Sequence, residues 1–423
     1  MKLFSLLVIV SFAFGQLIAI PLGSNVVLYV HDILLACVIV FAIGTKKITP
    51  SGILVFPIGV FVGVAFISLL FNSYRFTIAE LGVSSLYLLR WVLYSSLYVI
   101  SLQKFITSRQ WLTWTYWSGV CVAVLGFVQY VYYKDLRNVL YLGWDPHYYR
   151  IFSTFLDPNF LSLFLVLTLF LGMYFLNEKS RWPYMVGQFV TLGALFLTYS
   201  RSGYVALLVG SVVYALLIRR VKSLLIAICV FVVILFILPT PYGEGVKLLR
   251  TTSTFARVGN WQRGYSLIKE SPIFGFGFNT LRYVKEARGW GDENSIIPDK
   301  AGAGLDDSFQ FLWATTGIVG LVSYLWILSK IGKIFLRAQG NHTTRVLGVI
   351  GMSGLAATIV HSQFINSLFY PQILLWWWIV VGATEQCIKV DTSRDVRSSF
   401  GSPRGQSRRL SKHSRRRLRT SSI

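Results

Sequence analysis

Long apolar runs separated by short polar breaks make up most of the chain. Windows of about twenty predominantly apolar residues, the length that crosses a hydrocarbon core, fall at 3–21, 26–44, 53–71, 80–102, 112–133, 159–177, 183–199, 203–219, 223–239, 307–328, 346–366 and 371–387. Read as spans, they predict an all-α, polytopic integral membrane protein with about twelve transmembrane helices. The first window follows Lys2 but is long for a signal-peptide core and lacks a small-x-small cleavage site, so it is taken as a span. One break differs from the others. Between the ninth and tenth windows lie about sixty polar residues, 240–306, and loops of that length are normally functional.

Composition agrees with this pattern. Of 423 residues, 54% are hydrophobic and 13% charged, about half the charged share of a soluble protein. Cys37, Cys121, Cys229 and Cys387 lie in or beside apolar runs at no metal-ligand spacing, so neither disulfides nor zinc are indicated. No metal site and no cofactor are expected. The net charge of +23 is uneven. From Lys389 to Arg419 eleven Lys and Arg stand against Asp391 and Asp395. This Ser/Arg-rich stretch lacks apolar periodicity. Residues 1–387 therefore read as a membrane domain, and 388–423 as a basic, disordered cytoplasmic tail able to rest on anionic lipid. Nucleic-acid binding is the weaker reading of that tail.

Lys and Arg in the short breaks set the orientation. Alternate breaks carry Lys46 and Lys47, Lys104 and Arg109, Lys179 and Arg181, Arg219, Arg220 and Lys222, then Lys330, Lys333, Arg337 and Arg345. The opposite breaks offer mainly Arg75 and Arg201. Both termini are then cytoplasmic, and the loop 240–306 is external. A second external loop, 133–158, holds Trp144, His147, Arg150 and Asp157-Pro158-Asn159. Arg90 is the clear charge inside a span and reads best as a structural pair or a snorkelling side chain.

Three spans begin at the outer face beside polar residues: the sixth after Asp157-Pro158-Asn159, the eighth after Thr198-Tyr199-Ser200-Arg201, the tenth after Asp306-Asp307. Converging helix N-termini attract anions, and guanidinium forks at Arg201 and Arg257 suit a diphosphate. Plainer explanations stand beside each feature. Arg201 could anchor a helix end at the headgroups. Asp306 or Asp307 makes a good N-cap. Trp261 and the Phe274-to-Phe278 turn suit a membrane boundary, and His361 suits a satisfied interior histidine.

The order of these motifs is more specific than any one of them. Pro158-Asn159, Thr198-x-Ser200-Arg201, Arg257-x3-Trp261, Pro272-x2-Gly275-x-Gly277, and Asp306-Asp307 separated by nine residues from Gly317-x2-Gly320 together resemble the O-antigen ligase and polymerase superfamily. The resemblance covers about 150–382. It implies a metal-independent, inverting, GT-C-like glycosyltransferase of the cytoplasmic (inner) membrane. Such an enzyme passes a glycan from an undecaprenyl-diphosphate-linked donor to a sugar hydroxyl, on another glycan or a lipid-linked acceptor, at the outer face. Arg201 and Arg257 match the family arginines that hold the diphosphate. Asp306 stands where ligases usually have His, a substitution that favours polymerase-type relatives and keeps a proton acceptor. Asp306, Arg201 and Arg257 are the candidate catalytic residues. Arg150, Asn159, Trp261, Arg263 and Asp307 are candidate substrate contacts. A lipid-linked oligosaccharide transporter or flippase is the rival reading, with a non-catalytic envelope assembly subunit a third. Polar residues gathered at one face favour the enzyme, because transporters place their sites near the midplane.

Overall fold

The computed structural model describes residues 2–22, 26–45, 51–137, 147–176, 180–237, 246–247, 252–290 and 304–400. Trp144, most of the charged patch between Lys285 and Lys300, and the far end of the basic tail lie outside the described residues. The elements are α1 (Lys2–Phe14), β1 (Ala19–Pro21), β2 (Val27–Tyr29), α2 (Val30–Gly44), α3 (Val55–Phe71), α4 (Ile78–Ser101), α5 (Ser108–Tyr132), α6 (Pro158–Phe175), α7 (Trp182–Phe196), α8 (Arg201–Leu217), α9 (Val221–Ile237), α10 (Thr252–Glu270), α11 (Leu281–Glu286), α12 (Ser308–Gln339), α13 (Arg345–His361) and α14 (Pro371–Phe400).

Each predicted apolar window contains a helix. Five are long and apolar enough to cross a membrane: α4, α5, α6, α12 and the Pro371–Asp391 part of α14. Helices α1, α2, α3, α8 and α13 are apolar but shorter. The windows at 3–21 and 26–44 overestimate their helices. Helix α1 stops at Phe14, where the Gln16 amide donates to the Thr154 carbonyl (2.8 Å), and β1 then pairs antiparallel with β2. At the other end the helix runs past the expected boundary at 387. Lys389 pairs with Glu385 one turn back (2.9 Å), and α14 continues to Phe400, as an i,i+4 ion pair favours. Residues 401–423 lie outside the described residues.

Helix α6 and the 371–386 part of α14 are buried almost all round, including the run Trp376-Trp377-Trp378, as expected of uniformly apolar helices at the centre of a bundle. Around them α8 packs on α13, α4 on α14, and α12 on both α3 and α13.

Arg90 has a structural role. Its guanidinium pairs with Asp32 (3.1 Å), donates to the Val27 carbonyl, and faces the rings of Tyr29 and Tyr87. Asp32 also accepts from the Tyr94 hydroxyl (2.6 Å) and the Tyr29 amide (3.0 Å). The pair ties the β-hairpin and α2 to α4 and leaves neither charge without a partner.

The described part of the loop between α9 and α12 does not run free. Helix α12 breaks at Gly317, whose φ of 69° and ψ of −174° are not helical. The turn 271–278 closes onto the break. Phe276 and Gly277 amides donate to the carbonyls of Ala314 (2.9 Å) and Thr315 (2.8 Å), and the Ile318 amide donates to the Pro272 carbonyl (2.9 Å). From α3, the Ser68 hydroxyl reaches the carbonyls of Phe274 (2.7 Å) and Thr315 (2.9 Å), and the Asn72 amide reaches that of Gly275 (3.0 Å). Both glycines are required by space as well as by φ. A Cβ on Gly317 would sit 1.8 Å from the Ile273 oxygen, and one on Gly275 would sit 2.4 Å from the Thr315 carbonyl carbon.

Asp32→Ala is expected to destabilise the protein by about 3–5 kcal/mol, because it strands a largely buried guanidinium. Thermal melting in detergent checks this. Asp32→Ala combined with Arg90→Met should melt above Asp32→Ala alone; equal melting temperatures would show that the ion pair is not the source of the loss.

Candidate functional site

The site lies where the first turns of α6, α8 and α12 meet the loop helix α10. Each first turn is set by a short polar cap. Asp157 caps α6 through the amides of Asn159 (2.6 Å) and Phe160 (3.4 Å). Ser200 caps α8 through the Gly203 amide, so Arg201 is the first helical residue. Asp307 caps α12 through the amides of Phe309 (2.7 Å) and Gln310 (3.2 Å). Side-chain oxygens at helix starts satisfy amides that have no intrahelical partner.

The caps are joined to one another. The Ser200 hydroxyl donates to Asn159 Oδ1 (3.2 Å), and the Ser162 hydroxyl donates to Ser200 Oγ (3.0 Å). Arg150, almost wholly buried, donates to the Thr198 carbonyl (2.8 Å), to Asn159 Oδ1 (3.3 Å) and to the Tyr199 carbonyl (3.5 Å). Arg150 and Asn159 therefore brace α6 against the turn before α8. On the α12 side the Ser308 amide donates to the Ser362 carbonyl (2.9 Å) at the end of α13. There the buried His361 holds the Ser367 hydroxyl through Nδ1 (2.7 Å).

A cavity of about 310 Å³ opens beside these caps, lined by Arg201, Ser202, Val205, Arg257, Val258, Trp261 and Phe364. Its size falls within the range of small-ligand sites, roughly 300–1,000 Å³. Two guanidinium groups against otherwise mostly apolar walls favour an anion with an apolar extension.

The charges around Arg257 define the electrostatics. Burial lowers its pKa. Asp306 opposes that effect, Arg201 adds to it as a like charge, and Asp157 opposes it. Arg257 thus lies within electrostatic reach of the starts of all three helices. Asp306 behaves as a partly desolvated carboxyl. Burial raises its pKa, held back by Arg257, by a hydrogen bond from the Asn260 side chain and by Lys285. Burial also raises the Asp307 pKa, against its hydrogen bonds from the Gln310 and Phe309 amides. Of the adjacent pair, then, Asp307 is the cap and Asp306 is the carboxylate turned toward Arg257.

The sequence candidates therefore divide. Arg201, Arg257 and Trp261 share the cavity wall, and Asp306 is coupled to Arg257. Arg150, Asn159 and Asp307 hold the framework. Arg263 does not line the cavity; its guanidinium lies over the Trp290 ring (5.8 Å). Asn260 and Lys285 were missed. Asn260 shares a face of α10 with Arg257 and Gly264, so helical spacing from Arg257 would have found it. Lys285 donates to the Gly304 carbonyl (2.8 Å) and pins the segment leading to Asp306. Phe364 comes from a distant stretch with no local signal. Among the described residues no three His, Cys, Asp or Glu side chains gather into a potential metal site.

Comparison with curated proteins finds no match. A chain from the solved structure described as "Structural coordination of polymerization and crosslinking by a peptidoglycan synthase complex" aligns over 79% of this chain and 96% of its own, with 15% identity and a TM-score of 0.43. The O-antigen ligase (Wzy_C) family model matches residues 186–325. That match runs from α7 through Arg201, Arg257 and Asp306 to beyond the break in α12, and it bears out the resemblance of this chain to the O-antigen ligase and polymerase superfamily.

Proposed function

We propose that the protein transfers a glycan from an undecaprenyl-diphosphate-linked donor to a sugar hydroxyl at the outer face of the cytoplasmic membrane. The single observation that carries this reading is the position of Arg257, which shares a cavity with Arg201 and is coupled to Asp306. Arg201 and Arg257 line the cavity, whereas the nearby carboxylates Asp306 and Asp157 do not, so the wall itself carries an excess of positive charge. A diphosphate compensates that excess, and its lipid has apolar wall to follow at Val205, Val258 and Phe364.

In the proposed reaction the acceptor hydroxyl attacks the anomeric carbon from the face opposite the diphosphate, and the configuration inverts. Asp306 accepts the hydroxyl proton as the new C–O bond forms. The bond from the anomeric carbon to the diphosphate oxygen breaks, and its electron pair leaves with the lipid diphosphate. Arg201 and Arg257 stabilise the growing negative charge, a function electrostatics alone can perform without a metal. A partly desolvated carboxyl suits the base, since its raised pKa brings it nearer the working pH. The exposed indole of Trp261 is positioned to stack on a sugar face.

The wider reading is a GT-C-like membrane enzyme with twelve crossings, cytoplasmic termini and an external site, and the acceptor is another glycan or a lipid-linked molecule. The basic tail rests on the anionic cytoplasmic leaflet, at about 1 kcal/mol per basic residue near the surface. A transporter reading draws nothing from Arg90, which is held by Asp32 and backbone.

Asp306→Asn should insert normally and bind donor, yet lose about 10²- to 10⁴-fold in turnover. Asp307→Asn should stay within a few-fold of wild type, because Asn caps about as well as Asp. Transfer assays on reconstituted protein with a lipid-diphosphate glycan check both; the opposite ranking would move the base to Asp307.

Arg201→Lys and Arg257→Lys keep the charge but lose the planar fork. Each is expected to reduce transfer by about 10²- to 10³-fold, the usual loss for one transition-state donor. Wild-type rates from either would reduce that arginine to a membrane anchor.

The pH profile adds an independent check. Asp306 must be ionised to accept a proton, so the rate should rise with pH through a pKa above the ordinary carboxylate value. Arg257 holds that pKa down. In Arg257→Ala the residual activity should therefore show its acid limb at higher pH than wild type; an unmoved limb would separate Asp306 from the observed titration.

A further inference from the structure

The loop helix α10 has three distinct sides. One is packed: Gly264 and Leu267 are buried, and Asn260 bonds to Asp306. One is polar, carrying Gly259, Arg263, Ser266 and Glu270. The third is aromatic and apolar at helical spacing. Phe255 is 74% exposed, Val258 47%, Trp261 40% and Tyr265 57%, and Lys269 lies over the Tyr265 ring (4.5 Å). A soluble surface rarely leaves a stripe of that kind bare.

We propose that α10 lies flat in the headgroup region of the bilayer, with Val258 and Tyr265 set into the lipid at the face where α8 begins. The occupant of the stripe is the lipid surface itself. Continuity supports this. Val258 and Trp261 also line the cavity, together with Val205 of α8, and α8 and α9 carry exposed apolar side chains, Leu208, Phe236 and Ile237 among them. Charge agrees with it as well, since Lys269 lies over the Tyr265 ring beside the stripe, where a basic side chain can reach the headgroups. Aromatic side chains with a polar edge prefer that depth. The helix is too polar to cross the membrane, and its packed side fixes it to the start of α12. The bilayer thereby becomes a wall of the cavity, and the height of Arg257 is referenced to the lipid phosphates.

The inference rests on the membrane placement proposed above but not on glycan transfer, so its test reads depth alone. Full-length protein with its four cysteines replaced is labelled with a nitroxide at Val258→Cys, Tyr265→Cys, Arg263→Cys or Glu270→Cys. Each is reconstituted in nanodiscs of phosphatidylethanolamine and phosphatidylglycerol. The ratio of collision with oxygen to collision with a water-soluble nickel chelate should be several-fold higher at 258 and 265 than at 263 and 270. Equal ratios at all four positions would overturn the proposal. So would protection of 258 and 265 from both agents, which would mean that protein covers the stripe. Catalytically inactive protein with the expected ratios would leave the proposal standing and count against the transfer reaction instead.

Discussion

A helix that breaks in apolar surroundings leaves carbonyls and amides without partners, and each must find one within the protein. In α12 the break at Gly317 is met by the turn 271–278, which offers amides to Ala314 and Thr315 and a carbonyl to Ile318. Ser68 and Asn72 on α3 take up the carbonyls that remain on both sides of the contact. The glycines of Pro272-x2-Gly275-x-Gly277 and Gly317-x2-Gly320 are thus two halves of one joint. Gly275 and Gly317 let the two backbones approach more closely than any Cβ allows. That joint fixes the end of α10 relative to the first turns of α12, and so fixes Arg257 relative to Asp306.

Once the joint is set, neighbouring residues of the same type take different roles. Asp306 and Asp307 are adjacent, acidic and both shifted upward by burial. Asp307 gives its oxygens to the amides of the helix start, so its geometry is committed to the fold. Asp306 precedes the cap and faces a side-chain environment of Arg257, Asn260 and Lys285. A carboxylate held by side chains can exchange partners as a substrate arrives. One bound to two helix amides cannot do so without fraying α12.

The twelve apolar windows were readable because bilayer crossing imposes length and composition on a sequence. Their ends were less so. The stop at Phe14 depends on a carbonyl at Thr154, far along the chain, and the continuation of α14 past 387 depends on helical pairing that a hydropathy window ignores. Arg201, Arg257 and Asp306 stood out because charge is rare in such a chain. Arg263 stood out for the same reason, yet it lies over Trp290. A charge pattern marks residues without giving their direction around a helix axis. Asn260 is the converse case, an ordinary polar residue that helical spacing puts on the Arg257 face of α10 but that carries no charge to mark it.

The arginines show how a structural charge differs from a functional one. Arg90 sits deep in the bundle, but its charge is matched one to one by Asp32, with a carbonyl and two aromatic faces to complete its shell. Arg257 has Asp306 and Asp157 on one side and the like charge of Arg201 on the other. Burial already disfavours its charged form, and Arg201 disfavours it further. Both arginines line one cavity, so a polyanion that enters it can be held by two guanidinium groups at once. In the proposed transfer their attraction is greatest for the state carrying the greatest negative charge, the transition state and the departing lipid diphosphate.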